Sequence, residues 1–117
     1  MAEHNETGIK GEKLAEEWLT RHGYKIRAEN WRYRHLEVDI IAEKGDTLHF
    51  IEVKTRSSTM FGHPEESINK QKMKNLKDAA EQYQHQNPGW KWIQFDVLAI
   101  LLKPGKTDYW FNQDIYL

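Results

Sequence analysis

The stretch Leu36-Glu-Val-Asp39-Ile-Ile-Ala-Glu-Lys-Gly45-Asp46-Thr-Leu-His-Phe50-Ile-Glu52-Val-Lys54-Thr55 decides how this chain folds. Apolar and charged residues alternate on both sides of Gly45-Asp46, which predicts strands over residues 36–42 and 47–55. Gly followed by Asp suits a two-residue type II′ turn. With those two as the loop, facing positions sum to 91, so Asp39 lies opposite Glu52 and Glu37 opposite Lys54. The two-residue period then puts all four on one face of the hairpin.

Two carboxylates facing each other across a strand pair cost roughly 0.2–1 kcal/mol unless something compensates. A divalent cation between Asp39 and Glu52 would turn that repulsion into a site. Hard oxygen ligands suit Mg²⁺ or Mn²⁺ rather than zinc. Such an ion activates water and neutralises charge on a phosphoryl oxygen. Lys54 would then hold the attacking water or stabilise the transition state as a fixed positive charge. The bland alternative is a solvated Glu/Lys strand face. Leu48 and Phe50 share that face and favour a walled cleft.

Outward from the hairpin, residues 6–22 predict a helix with Leu14, Ala15, Trp18 and Leu19 on its apolar side and Gly23 after its end. Glu12 falls at the rim of that side, about 20° from Leu19 at 100° per residue. Residues 24–33 predict a first strand, aromatic but heavily charged, and so near a sheet edge. Residues 58–64, with Gly62 and Pro64, predict a loop, and a long helix follows over 65–86 with Pro64 in its first turn. Its apolar stripe is Ile68, Met73, Leu76, Ala79, Ala80 and Tyr83; Lys70, Lys72, Lys74 and Lys77 lie on the other side. Strands over 90–103 and 107–116 complete the order α-β-β-β-α-β-β, the first of them buried on both faces in its apolar second half. That order implies an α/β (α+β) fold, a mixed central sheet flanked by helices.

At 117 residues the chain is expected to form a single domain over 1–117 with a core of its own. It has no cysteine, which rules out disulfides and thiolate metal sites and fits a reducing cytoplasm. The start is polar and acidic, without a visible secretory signal. The longest apolar run, from Val97 to Leu102, is too short for a bilayer span, so no membrane association is expected. The formal charge of −1 hides an asymmetry: residues 1–53 sum to −3, residues 54–77 to +4 and residues 78–117 to −2. A basic stretch therefore follows Glu52 and Lys54 directly, which matters for phosphate binding. The near-neutral total argues against a non-specific DNA coat protein.

Five motifs stand in order: Gly11-Glu12 in the first helix, Glu37-Val-Asp39-Ile-Ile-Ala, Ile51-Glu52-Val-Lys54-Thr-Arg56, Phe61-Gly62-x-Pro64 and Phe95-Asp96-Val97. From about Gly8 to Ile100 the chain resembles the YraN-like bacterial family of the restriction-endonuclease-like PD-(D/E)xK superfamily. The resemblance implies a nuclease-type core, with Asp39, Glu52 and Lys54 at the metal-binding and catalytic positions. Glu12 matches the first-helix glutamate of Holliday-junction resolvases and their relatives, which makes it a third metal ligand. Lys72 and Asp96 fall on motif positions of the family pattern. The resemblance also implies DNA, including branched or junction DNA, as substrate, and a homodimer as the assembly. Two positions depart from the pattern: Leu36 stands where the family usually has Gly, and Gln94 where it usually has Arg.

Arg56 shares the strand parity of Lys54, and with Lys70, Lys72 and Lys74 it could track a phosphate backbone. A solvated helix face is the alternative for the lysines. Glu37 and Asp96 are candidates for support behind the ligands, Asp96 equally for holding a helix end or a loop amide. The six histidines show no zinc spacing. Trp18, Trp90, Trp92 and Trp110 are expected in the core, with Trp31 the exception beside Arg32 and Arg34. Three functions stay open: a Mg²⁺- or Mn²⁺-dependent nuclease, a non-catalytic nucleic-acid-binding module, and a protein-interaction domain on the same fold.

Overall fold

The computed structural model of the chain describes residues 2–57 and 69–115. In order they form α1 (Ala2–Arg21), β1 (Lys25–Tyr33), β2 (Leu36–Lys44), β3 (Thr47–Arg56), α2 (Lys70–Gln86), β4 (Trp92–Lys103) and β5 (Lys106–Asn112). The strands make one sheet in sequence order, β1-β2-β3-β4-β5. Short turns give antiparallel pairs at β1–β2, β2–β3 and β4–β5, whereas α2 carries the chain back across the sheet so that β3 and β4 run parallel. The fold class and element order are those the sequence implies, and the charged β1 does lie at an edge.

The turn sets the hairpin register. Gly45 has φ +61° and Asp46 stays out of the positive region, the pattern of a type II′ turn. Lys44 faces Thr47 and Ile40 faces Ile51, so facing numbers sum to 91 as expected. There the ladder ends. Leu36 and Val38 pack in the layer under α2 together with Ile41, while Ile40 and Ala42 pack in the layer under α1. Side-chain alternation therefore slips by one residue at Asp39. On β1, the pairs Glu29–Ile40 and Trp31–Val38 bracket Asn30, which has φ +50°. Both strands turn over together at this point, and beyond it β2 stays with β1 while β3 stays with β4. The sheet forks.

Each helix covers one face. Ala15 and Leu19 of α1 close over Ile40, Ala42, Ile51, Leu98 and Ile100. Met73, Leu76, Ala79, Ala80 and Tyr83 of α2 close over Leu36, Val38, Ile41, Leu48, Phe50 and Val97. Burying a large apolar side chain is worth roughly 1.5–3 kcal/mol, so these two layers hold the fork in shape. Phe95 to Leu101 of β4 is buried throughout, as a strand covered on both faces requires.

Three expectations are corrected. The second helix starts at Lys70, because Asn69 is extended and its side chain accepts the Lys72 backbone N–H as an N-cap. The loop over 58–64, the Phe61-Gly62-x-Pro64 motif and Ile68 lie outside the described residues. Strand β5 stops at Asn112, where Asp114 takes a positive φ of 57°. Trp92 is 58% exposed rather than buried, and Trp90 precedes the strand, with the Arg27 guanidinium over its ring.

Gly11 shows how tightly α1 seats near the fork. A Cβ there would stand 1.9 Å from Thr55 Oγ1 and 2.9 Å from Thr55 Cβ. Turning the hydroxyl away does not relieve the second contact, so a side chain at this position must lift the helix. Gly11→Ala is expected to cost about 1–3 kcal/mol in urea denaturation, overpacking outweighing the better helix propensity of alanine. Thr55→Ala in the same chain should restore only part of it.

Candidate functional site

At the crotch of the fork the Val53 N–H has no carbonyl of β2 to meet. It donates to Asp39 Oδ2 at 2.8 Å instead. The aspartate thus replaces the ladder with a side-chain contact and fixes its own carboxylate at the split. Among the described residues its second oxygen accepts no hydrogen bond. Burial, and next the charge of Glu52, raise the Asp39 carboxyl from an ordinary 3.8 to about 7. The Val53 N–H and the Lys72 charge pull the other way, and Glu37 adds to the rise. Two carboxylates therefore sense each other across the fork, but not as the register implies: the ladder ends at Ile40–Ile51, so Asp39 does not pair with Glu52, and Glu37 faces Arg32 of β1 and not Lys54.

The two open onto different sides. Asp39 lines a recess of about 190 Å³ with Thr7, Gly8, Glu12, Val53 and Thr55, beneath the start of α1. Glu52 lines one of about 340 Å³ that includes His35, Glu37, Asn69, Gln71 and Lys72, beneath the start of α2. The expectation of one flat face is thus corrected: the fork twists the sheet where the carboxylates stand. Glu12 joins Asp39 in the first recess and takes a hydrogen bond from Asn30 Nδ2 at 3.3 Å. Among the described residues no three His, Cys, Asp or Glu side chains gather into a ready metal cage.

A cation of the protein already sits on Glu52. Lys72 Nζ lies 2.5 Å from Glu52 Oε1, with the glutamate side chain 9% exposed and the lysine 49%. Burial works against the Lys72 charge, but the hydrogen bond and charge of Glu52, with Asp39 and Glu37 behind them, hold its ammonium above the ordinary lysine value. Lys54, half-buried on the same strand, makes no hydrogen bond or ion pair among the described residues. Glu37 is exposed and pairs with Arg32 at 3.6 Å. Arg56 donates to the Thr55 carbonyl, Lys70 is exposed, and Lys74 is tied to Asp78 at 2.9 Å.

Asp96 lies apart from both recesses. It is fully buried and accepts from His49 Nδ1 at 2.7 Å, Gln94 Nε2 at 2.9 Å and the Asp114 N–H at 2.9 Å. Its partners make it a clamp on the segment after β5, the loop-amide role the sequence allows.

The uncharacterised protein family UPF0102 matches residues 11–100 of this chain, from the glycine seated on Thr55 to the end of the buried run of β4. The chain belongs to UPF0102. This is the YraN-like family, of restriction-endonuclease-like, nuclease type, that the motifs bring to mind. A UPF0102 protein of Syntrophomonas wolfei is 45% identical over 105 residues, covering 89% of this chain and 91% of its own length. One from Bacteroides thetaiotaomicron is 43% identical over 105 residues, covering 90% and 87%. One from Christiangramia forsetii is 40% identical over 116 residues, covering 99% and 98%. UPF0102 thus spans the whole fork: helix α1 from Gly11, both strands that part at Asp39, and the helix that carries Lys72.

Several residues of this UPF0102 site carry no signal in the sequence. Asn30 is placed by backbone geometry and not by a motif, and although Val53 and Thr55 lie within the Ile51–Arg56 motif, nothing in it marks the Val53 amide or the Thr55 hydroxyl as part of the site. The Lys72–Glu52 pair joins elements 20 positions apart in sequence. Its sequence traces are that Lys72 falls on a motif position of the family pattern and lies nearer the apolar stripe of α2 than Lys74 does. Among the described residues, no helix is long and apolar enough to cross a membrane.

Proposed function

We propose that this UPF0102 chain is a divalent-metal-dependent phosphodiesterase of nuclease type, acting in the cytoplasm on DNA, with branched or junction DNA as the favoured substrate. The observation that carries this reading is the fork, which buries Asp39 beside Glu52, so that burial first and the Glu52 charge second raise the Asp39 carboxyl to about 7. The donor set fits Mg²⁺ or Mn²⁺: it is all oxygen, without thiolate or imidazole, and Asp39 keeps one oxygen free of described partners. Asp39 and Glu52 would hold the ion, with Glu12 reaching the same recess as Asp39. When bound, the ion would supply charge neutralisation at a phosphoryl oxygen and a more acidic water.

The chain's own groups do the rest. Asp39 is fixed by the Val53 N–H and lines the recess it shares with Glu12. Lys54, unengaged among the described residues, orients the attacking water or stabilises negative charge on the phosphate. Arg56 and Lys70 stand exposed at the end of β3 and the start of α2, where they can hold flanking phosphates. Lys74 would have to leave Asp78 to do so.

The test is cleavage of duplex, flap, four-way-junction, single-stranded and RNA substrates with Mg²⁺, with Mn²⁺ and with chelator. Metal-dependent cleavage is expected, lowered at least 10²–10³-fold by Asp39→Ala and by Lys54→Ala. Variants that cleave as well as the parent would refute the assignment. DNA binding without cleavage by the parent would favour the non-catalytic module, and no binding at low salt the interaction domain.

A further inference from the structure

The Lys72–Glu52 pair is asymmetric in a way that bears on how the site works. Glu52 is held in β3 with almost no exposure, whereas Lys72 reaches in from the first turn of α2 on a flexible stem and stays half in water. The backbone beneath Lys72 is fixed, because Asn69 Oδ1 accepts its N–H at 2.8 Å. Only the side chain has freedom to leave. Its ammonium occupies Oε1 of a carboxylate that also senses Asp39, with Glu37, itself paired to Arg32, nearby. A dication and an ammonium on the same oxygen repel each other.

We infer that Lys72 is an exchangeable counter-cation: it neutralises Glu52 until a divalent ion arrives, and the ion releases it to bind a phosphate of the nucleic acid. This rests on the metal-dependent reading above and adds a partner and an order to it. The displaced ammonium swings from the Glu52 wall of the recess, and the recess is also lined by His35, Asn69 and Gln71, side chains able to hydrogen-bond a nucleotide. Ion and nucleic acid then bind with positive coupling, because each removes what the other would have to pay to free Lys72.

Two titrations on the full chain test it. Mn²⁺ alone, followed by calorimetry, should bind Lys72→Met about three- to tenfold more tightly than the parent, since a competing cation is gone. Lys74→Met, which removes the same charge from the next turn but leaves Glu52 paired, should not change Mn²⁺ affinity more than twofold. For the second titration, Ca²⁺ replaces Mn²⁺ as a hard ion that activates water poorly, and binding of a labelled four-way junction is read by anisotropy. Ca²⁺ should raise junction affinity in the parent, and Lys72→Met should lose most of that gain while Lys72→Arg keeps it. The salt slope of Ca²⁺-dependent binding should fall by about 1 in Lys72→Met, the signature of one lost phosphate contact.

Equal or weaker Mn²⁺ binding by Lys72→Met, or an undiminished Ca²⁺ gain, overturns the inference and leaves the metal-dependent reading standing. No Mn²⁺ binding by the parent overturns both. Thermal unfolding that shows Lys72→Met folded at the titration temperature validates its two readings; were it unfolded, Lys72→Arg losing the Ca²⁺ gain would count against the inference and keeping it would support it.

Discussion

Asp39→Asn is expected to make the metal-free protein more stable at pH 8, by up to about 4 kcal/mol. The sign follows from linkage. The folded chain holds the Asp39 proton up to about 7, while the unfolded chain releases it near the ordinary 3.8. Between those values the native state binds more protons, so its stability falls as pH rises through that window and stays low above it. A rise of this size corresponds to about 4 kcal/mol at 1.36 kcal/mol per pH unit. Asparagine keeps an oxygen for the Val53 N–H and removes the charge that faces Glu52. The advantage of Asp39→Asn over the parent, read from urea unfolding in chelator, should be small at pH 4 and grow to its full value by pH 8. A difference that does not change with pH would contradict the raised carboxyl that burial and the Glu52 charge give Asp39.

Asp96→Ala should be among the most damaging single changes, costing about 3–5 kcal/mol. The carboxylate is fully buried and receives three hydrogen bonds, from His49, Gln94 and the Asp114 amide. Removing it strands His49, itself 5% exposed beneath the Tyr24 ring, and leaves the Asp114 N–H unpaired in a left-handed turn. Asp96→Asn should fall between the parent and alanine, since its oxygen can keep the Gln94 and Asp114 donors while its amide meets His49 Nδ1 only if the imidazole gives up that proton. Urea unfolding measures the loss. Hydrogen exchange should show its location: the Ile115 amide, bonded to the Phe95 carbonyl at 2.8 Å, should lose protection first. Because Asp96 lines neither recess, metal affinity should survive in whatever fraction stays folded.

The sheet was legible in the sequence because one turn determines it. Gly45 with a positive φ fixes a two-residue loop, and the parity of every facing pair in the hairpin follows. The fork was not legible, since it depends on the Asp39 side chain competing with the backbone for the Val53 N–H, and alternation gives no warning of that exchange. The same holds at the start of α2. Pro64 and the polar residues after it suggest an early helix start, but the cap belongs to Asn69 because its side chain reaches the Lys72 amide. Burial was readable where apolar residues run together, as in β4 from Phe95, and misleading at Trp92, which begins that strand beyond the cover of either helix layer. Asp96 could be read only as a buried charge needing a partner; that the partner is His49 is a property of the parallel β3–β4 register.

The claim at the centre of this account is that the carboxylates at the fork form one divalent-ion site. Calorimetric titration of the chelator-treated chain with Mn²⁺ at pH 8 tests it most directly. The account predicts one ion per chain in the parent, with affinity lowered at least tenfold both by Asp39→Asn and by Glu52→Gln. Absence of binding in the parent, or binding that both variants retain, would contradict it.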